Sequence, residues 1–399
     1  MRISTPQIYL QGIEAFGQQQ AKLAKLQQQI STGIRLTKPS DDPAVSTRVL
    51  QLDQTISLDK QYQSNILTAD NRLRLEENTL TAVENITFRL KELSIQANSG
   101  ALDFTGRKAI GVEVEQNLQA LVSLGNTTDA NGNFLFAGFQ NGAAPFTTTT
   151  TGTIQHVVYN GDQGQSMLQI SQTRQVAVDN PGSEVFLKIP STTALNELAA
   201  PANTGTGIMS PAQVFNAATH VAGNVQITFT SPTNYDVVDS ATPANNITGA
   251  TFASGSDIKV GGIRFAITGA PAAGDEFSSS PGQFKDIFES VQTLAETLKS
   301  SSDSAQLSAN FATFQTDLDS FFTRILEVRT SLGGRLNALE SQKNVNETNI
   351  LTAQSTRSTL RDTDLAAAIS QLTLEQTTLD AAQAVFSRIT SSSLFNFLR

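Results

Sequence analysis

The sequence predicts a mainly α-helical protein with an inserted β domain: long terminal coiled-coil helices, a helical-bundle rod, and a small antiparallel β outer domain. Three observations carry this. From Phe311, apolar residues recur every seven positions at Leu318, Ile325, Leu332 and Leu339, with a second row at Phe314, Phe321 and Val328. The same rhythm runs through Ile66, Leu73 and Leu80, with Tyr62, Ala69, Val83 and Leu90 alongside. Between them, from 147 to 283, the charged fraction falls by about half and Thr, Ser, Gly, Ala and Pro dominate. A repeat of seven with partners at three or four gathers apolar residues into one seam on a helix, and such a seam needs another helix. Because the seams lie toward opposite ends of the sequence, each is the natural partner of the other, and the middle should protrude.

The elements follow in order. Up to Leu36 the chain is glutamine-rich, with a narrow apolar stripe at Ile13, Phe16, Leu23, Leu26 and Ile30. Lys38-Pro39-Ser40-Asp41-Asp42-Pro43 breaks it, because helix is disfavoured just before each proline. Asp42 can cap the next helix, with Pro43 at its first position. That helix should run from about 43 to 97, on the order of 80 Å at 1.5 Å per residue. Asn98-Ser99-Gly100 ends it, and a shorter helix spans 105 to 124. Segments 153–159, 166–178, 185–189, 225–230 and 258–267 read as strands, being β-branched or alternating and punctuated by Asn160-Gly161-Asp162, Asn180-Pro181-Gly182 and Gly261-Gly262. Residues 192–220 read as loop or short helix. Helix resumes near Phe284, and a long helix should follow from Ser304 to Gln354 or beyond, mildly interrupted at Gly333-Gly334. A last amphipathic stretch carries Leu365, Leu372, Leu379 and Phe386 at spacing seven, with Ile369, Ala382 and Ile389 beside them, and ends in Leu394, Phe395, Phe397 and Leu398.

These elements divide the chain into five parts. Residues 1–42 and 361–399 are the two halves of an inner coiled-coil domain. Residues 43–146 and 284–360 are the two halves of a helical bundle, and 147–283 form the β-rich outer domain.

Composition excludes several functions. The net charge of −9 argues against a nucleic-acid partner, since phosphate binding needs clustered Lys and Arg. No apolar run approaches the ~20 residues of a membrane span, and the Met1-Arg2-Ile3-Ser4-Thr5-Pro6 start lacks the apolar core of a secretory signal. With no cysteine, disulfides and thiolate metal sites are excluded. We find no catalytic constellation, no metal site and no cofactor motif. His156 and His220 lie far apart in the β region with no partner motif, and read as surface or turn residues. The Asp41-Asp42 pair reads as helix capping. Gly261-Gly262 and Gly333-Gly334 lack the strand-loop-helix setting of a phosphate loop.

The outer stripes differ from the inner ones. The inner pair closes an ordinary bundle. The outer pair, 1–36 with 361–399, would bury only a two-helix seam, which is thin for a stable unit. These ends should fold fully only against further copies or related subunits. The candidate assembly interface is therefore Ile13, Phe16, Leu23, Leu26, Ile30, Leu365, Ile369, Leu372, Leu379, Phe386, Ile389, Leu394, Phe395, Phe397 and Leu398.

Several motifs, taken in order, carry a family resemblance. These are the Met1-to-Thr5 start; Ser40-Asp41-Asp42-Pro43; Gly132-Asn133-Phe134-Leu135-Phe136-Ala137-Gly138-Phe139 followed by Pro145-Phe146; Tyr159-Asn160-Gly161-Asp162; Asn180-Pro181-Gly182-Ser183-Glu184-Val185-Phe186; Gly269 to Phe277; and the Ser393-to-Leu398 ending. The chain resembles the flagellin superfamily, and within it the hook-associated, junction-forming members. Residues 190–255 match nothing in that pattern. The resemblance implies an inner coiled coil, a bundle outside it and an outermost β domain. It also implies a structural, non-enzymatic role in bacterial motility, as a ring of identical subunits at the hook–filament junction on which flagellin assembles. The implied partners are the neighbouring hook-associated junction protein, flagellin, an export chaperone and the type III export apparatus, with an extracellular location reached without a cleaved signal peptide. A flagellin-type filament subunit is the alternative within the same class. A coiled-coil adhesin and an enzyme inserted in the middle are the alternatives outside it.

Overall fold

The computed structural model describes residues 5–100, 102–151, 154–191, 194–300 and 304–397. Six long helices frame it: α1 (Thr5–Thr32), α2 (Pro43–Ala97), α3 (Phe104–Gly125), α4 (Ile287–Ser300), α5 (Ser304–Arg361) and α6 (Leu365–Phe397). Asp42 accepts from the Val45 amide at 3.1 Å and so caps α2, as its place before Pro43 implies. α5 runs unbroken through Gly333-Gly334, where no neighbouring atom lies close enough to exploit the missing side chains.

By contacts the chain forms two compact units, residues 1–64 with 342–399, and residues 65–341. The larger holds the inner seams. Ile66, Ala69, Leu73, Leu80, Val83 and Leu90 of α2 are buried with Phe311, Phe314, Leu318, Phe321, Ile325, Leu332 and Leu339 of α5. α3 and α4 pack on each other and add Val114, Leu121, Val291, Leu294 and Leu298 to this core.

The middle of the chain is β-rich, as expected, but packing divides it. β1 (Phe146–Thr151) and β2 (Ile154–Tyr159) make one hairpin, and β3 (Met167–Gln169) and β4 (Gln175–Ala177) another. Phe146 from the first and Val176 from the second are buried in the helical core. Segment 185–189 is not a strand. Ser183–Leu187 forms a π-helical turn, followed by β5 (Ile189–Pro190). The reason is packing: Val185 and Phe186 are fully buried, and the Phe186 ring meets those of Phe136, Phe146 and Phe288 at 5.3–5.6 Å. A short apolar run buried on all sides carries no period that separates strand from helix.

Residues 195–281 enclose their own core. Here β6 (Leu195–Ala199), β7 (Ile208–Met209), β8 (Gln213–Val214), β9 (Val225–Ser231), β10 (Asn234–Asp239), β11 (Ile247–Thr251), β12 (Asp257–Val260), β13 (Ile263–Thr268) and β14 (Glu276–Pro281) follow in sequence. One antiparallel sheet runs β11-β10-β9-β14-β6. The other runs β12-β13-β7, with β8 also on β13. Ile227, Phe229, Val237, Phe265, Ile267 and Phe277 from both sheets share the core. The expected single strand 258–267 is a hairpin, because Gly261 and Gly262 both take positive φ, as a tight two-residue turn requires. Segment 192–220, expected as loop or helix, supplies β6, β7 and β8: exposed polar positions hide the alternation until neighbouring strands are in place. β15 (Phe284–Lys285) pairs with β5 and returns the chain to α4, so the helix starts at Ile287 rather than near Phe284.

Candidate functional site

The smaller unit holds the two chain ends. Within it, Val49, Ile56 and Tyr62 of α2 and Ala353 of α5 are buried. Arg357 pairs with Asp53 at 2.7 Å, and Gln63 donates to the Lys343 carbonyl at 2.8 Å, tying these helices together.

α1 and α6 pair antiparallel, and the pairing is set at the turns. Gly33 takes φ 69°, which ends α1. The chain then runs beside the α5–α6 turn. The Arg35 amide donates to the Arg361 carbonyl at 2.8 Å, the Thr363 amide to the Gly33 carbonyl at 2.9 Å, and the Arg35 guanidinium to the Leu360 carbonyl at 2.7 Å. Asp364 caps α6, accepting from the Ala366 and Ala367 amides at 3.0 and 3.1 Å. Asp41 folds its loop back onto α1: Lys25 donates to it at 2.7 Å and the Lys38 amide at 3.1 Å, and these bonds hold its carboxyl down at about 2. The Asp41-Asp42 pair thus serves a turn and a cap.

From this clamp the seam runs outward. Leu23, Leu26, Ile30, Leu372 and Leu379 are half-buried. Phe16 and Phe386 meet edge to face, their ring centroids 5.3 Å apart and planes at 88°. Gly12 lies so close that a Cβ there would sit 2.6 Å from the Phe386 ring. Gln19 hydrogen-bonds the Glu375 carboxylate across the seam.

The structure does not bring every expected residue into the seam. Ile13 is 49% exposed, Leu365 48% and Ile369 52%. In their place Ala368 is buried, alone among the described side chains of α1 and α6. A spacing of seven on a straight helix drifts by about 20° per heptad, so the stripe slides off the contact line toward α6's start. Ile389, Leu394, Phe395 and Phe397 lie on α6, but their side chains fall outside the described residues, as does Leu398 entirely. Gly12, Gln19, Ala368 and the turn clamp are additions. Gly12 stands in an otherwise helical pattern, a recognisable sign of close approach.

The seam leaves apolar surface open. A groove of about 530 Å³ is lined by Gly12, Ala15, Phe16, Leu379, Val385 and Phe386, among others. Leu10, Leu374 and Val385 are 65%, 66% and 56% exposed. Gln11, Gln18, Gln20, Gln27 and Gln28 add exposed amides. This arrangement offers contact area and neutral hydrogen bonding. Among the described residues no group of three or more His, Asp or Glu is placed to hold a metal ion, and no helix is long and apolar enough to cross a membrane.

Comparison with known proteins agrees with this geometry. The bacterial flagellin N-terminal helical region matches residues 3–141, and the flagellin C-terminal helical region residues 316–398. The flagellar hook-associated protein 3 of Salmonella typhimurium is 32% identical over 191 residues, 48% of this chain and 58% of that one; the match thus spans little more than half of the relative. That of Escherichia coli is 25% identical over 396 residues, 99% of each chain. The crystal structure of Xanthomonas campestris FlgL superposes with a TM-score of 0.51 at 31% identity, covering 77% of this chain and 99% of that one. The paired terminal helices, the inserted β domain and these likenesses together make the chain a member of the flagellar hook-associated protein 3 family, structural rather than enzymatic proteins of the bacterial flagellum.

Proposed function

We propose that this protein forms a ring of identical subunits at the junction between flagellar hook and filament, seated on the neighbouring hook-associated protein and offering the surface on which the first flagellin subunits assemble. The observation that carries the reading is the open seam. α1 and α6 bury one small residue among their described side chains and leave a wide apolar groove. A two-helix seam of this kind contributes little stability alone, so its folding is coupled to contact with neighbours. Coupled folding also suits export: the subunit travels through the type III apparatus to the cell exterior, with a cytoplasmic chaperone covering α6 beforehand. Outside, α1 and α6 order against adjacent subunits, and the exposed glutamines hydrogen-bond across the contact without gathering charge.

Leu379→Asp and Phe386→Asp each place a charge in the groove. Either should abolish junction assembly while the β domain stays folded, and cells carrying it should release flagellin into the medium. Normal filaments in those strains would sink the reading. The alternative, a filament subunit, is separated by immuno-electron microscopy: label confined to the hook–filament boundary supports the junction, and label along the filament overturns it.

A further inference from the structure

The Gly132-to-Phe139 run buries Leu135, Phe136 and Ala137 and then turns one ring outward: Phe139 is 66% exposed. The mount under that ring is closely tied. Gly138 takes φ 69°, and a Cβ there would strike the Asp162 carboxylate. Asp162 Oδ1 accepts from the Phe139 amide at 3.0 Å and from the Gly164 amide at 2.7 Å, and the Asp162 amide donates to the Ala137 carbonyl at 3.1 Å. Tyr159 Oη reaches the carbonyls of Phe136 and Asp162 at 2.9 and 2.8 Å. Gly164 passes so close beneath Phe139 that a Cβ there would strike the ring. An aromatic ring held outward in this way gives up little entropy on docking, which is what an interface anchor needs. The same unit carries a surface able to receive it. Phe88 of α2 and Phe322 of α5 lie with ring centroids 5.2 Å apart, and Leu326 follows Phe322 by one turn on the same face. Phe88 is 46% exposed and Leu326 42%. An exposed apolar patch with a polar rim marks an interaction site.

We propose that adjacent subunits join head to tail, Phe139 of one docking onto the Phe88–Phe322–Leu326 patch of the next, so that the occupant of the patch is a second copy of this chain. The charges on the two sides agree. Around the patch they are already paired within the subunit: Lys91 with Asp319 at 2.5 Å, Arg89 with Glu92 at 3.1 Å, and Arg329 with Glu77 at 2.7 Å. Beside Phe139, Gln140 and Gln163 are exposed and neutral. The two surfaces can be buried together without stranding a charge, whereas a partner whose rim carried a net charge would leave it unpaired. Phe139 cannot reach the patch of its own chain. Its loop is tied to α2 at Arg72, which pairs with Asp129 at 3.0 Å and donates to the Phe134 carbonyl at 3.4 Å. Phe88 lies roughly 24 Å further along the same helix. Anchor and patch are different surfaces, so the contact repeats in one direction and closes into a ring where the rotation between copies allows. The proposal rests on the reading of the protein as a ring of identical subunits, and it names a lateral contact for that ring on the 65–341 unit.

The test uses flagella isolated from cells whose subunit carries the photoreactive benzoylphenylalanine in place of Phe139. Illumination should give covalent multiples of this chain, with the adduct in peptides containing Phe88 or Phe322. Adding Leu326→Asp should lower the yield at least about tenfold, while the purified variant keeps the parent's circular dichroism and thermal midpoint. A second variant leaves Phe139 in place: the chain has no cysteine of its own, and Gln140→Cys with Thr323→Cys, both at exposed positions, should give the same ladder on oxidation. No ladder from either variant, adducts confined to flagellin or to the neighbouring hook-associated protein, adducts elsewhere on this chain, or a yield unmoved by Leu326→Asp each overturn the proposal. Immuno-electron microscopy of the same flagella separates it from the junction reading. Label at the hook–filament boundary without self-adducts removes this contact and leaves the junction. Self-adducts with label along the filament keep the contact and remove the junction.

Discussion

Glu76 shows how far one residue's chemistry depends on what folds against it. It lies on α2 with 1% of its surface exposed, accepts from Asn180 Nδ2 at 2.6 Å, and has Arg335, Asp179 and Arg72 nearby. Burial pushes its carboxyl up to about 8, against the weaker opposing pull of Asn180 and the arginines. It is therefore protonated at neutral pH. A value raised on folding stabilises the native state at low pH and is lost as pH rises through about 8. Glu76→Gln keeps the size and removes the titration. Between about pH 6 and about pH 9 the parent should lose roughly 2–3 kcal/mol more than this variant, read from urea midpoints at each pH. Equal losses would show that Glu76 titrates normally. Nothing around position 76 in the sequence announces this, because Asn180 arrives from a turn far along the chain. Asp42 is the opposite case: its role is fixed by Pro43 next to it and is legible at once.

At the scale of elements, the inner seams were readable because each helix supplies its own long repeat. Leu73, Leu80, Ile325 and Leu332 are fully buried, as their spacing requires. The contrast between adjacent positions on α5 is a direct check. Ile325 is fully buried and Leu326 is 42% exposed. Ile325→Ala should cost about 2–5 kcal/mol, and Leu326→Ala within about 0.5 kcal/mol. Equal costs in urea titration would mean that the seam does not face inward. Shorter elements were less legible. β10 and β11 alternate only weakly, and β14 carries Ser278, Ser279 and Ser280 where an apolar residue would mark a strand. Their identity comes from neighbours in the sheet. The outer seam was legible as a stripe and not as a contact list, since the heptad drift and the Gly33–Thr363 clamp together decide which residues of α6 meet α1.

For the whole molecule, burial is distributed unevenly along the chain, and the consequence is functional. The unit at 65–341 contains every member of the three apolar clusters. α1 and α6, 28 and 33 residues long, bury Ala368 alone among their described side chains. Helices of this length held by a half-buried seam are marginal in water, whereas the inner helices are fixed by their cores. The free subunit should therefore be a folded centre with chain ends that order on assembly, which would keep subunits from polymerising before they reach the growing structure. Two measurements on the isolated protein check this. Circular dichroism should report less helix than the six helices imply, by an amount matching α1 and α6. Limited proteolysis should trim both ends and leave a core of about 43 to 360, because cleavage follows the local population of open states. A monomer with full helical signal and protected ends would mean that the α1–α6 seam is complete in one chain. Its open groove would then have to answer to some purpose other than assembly.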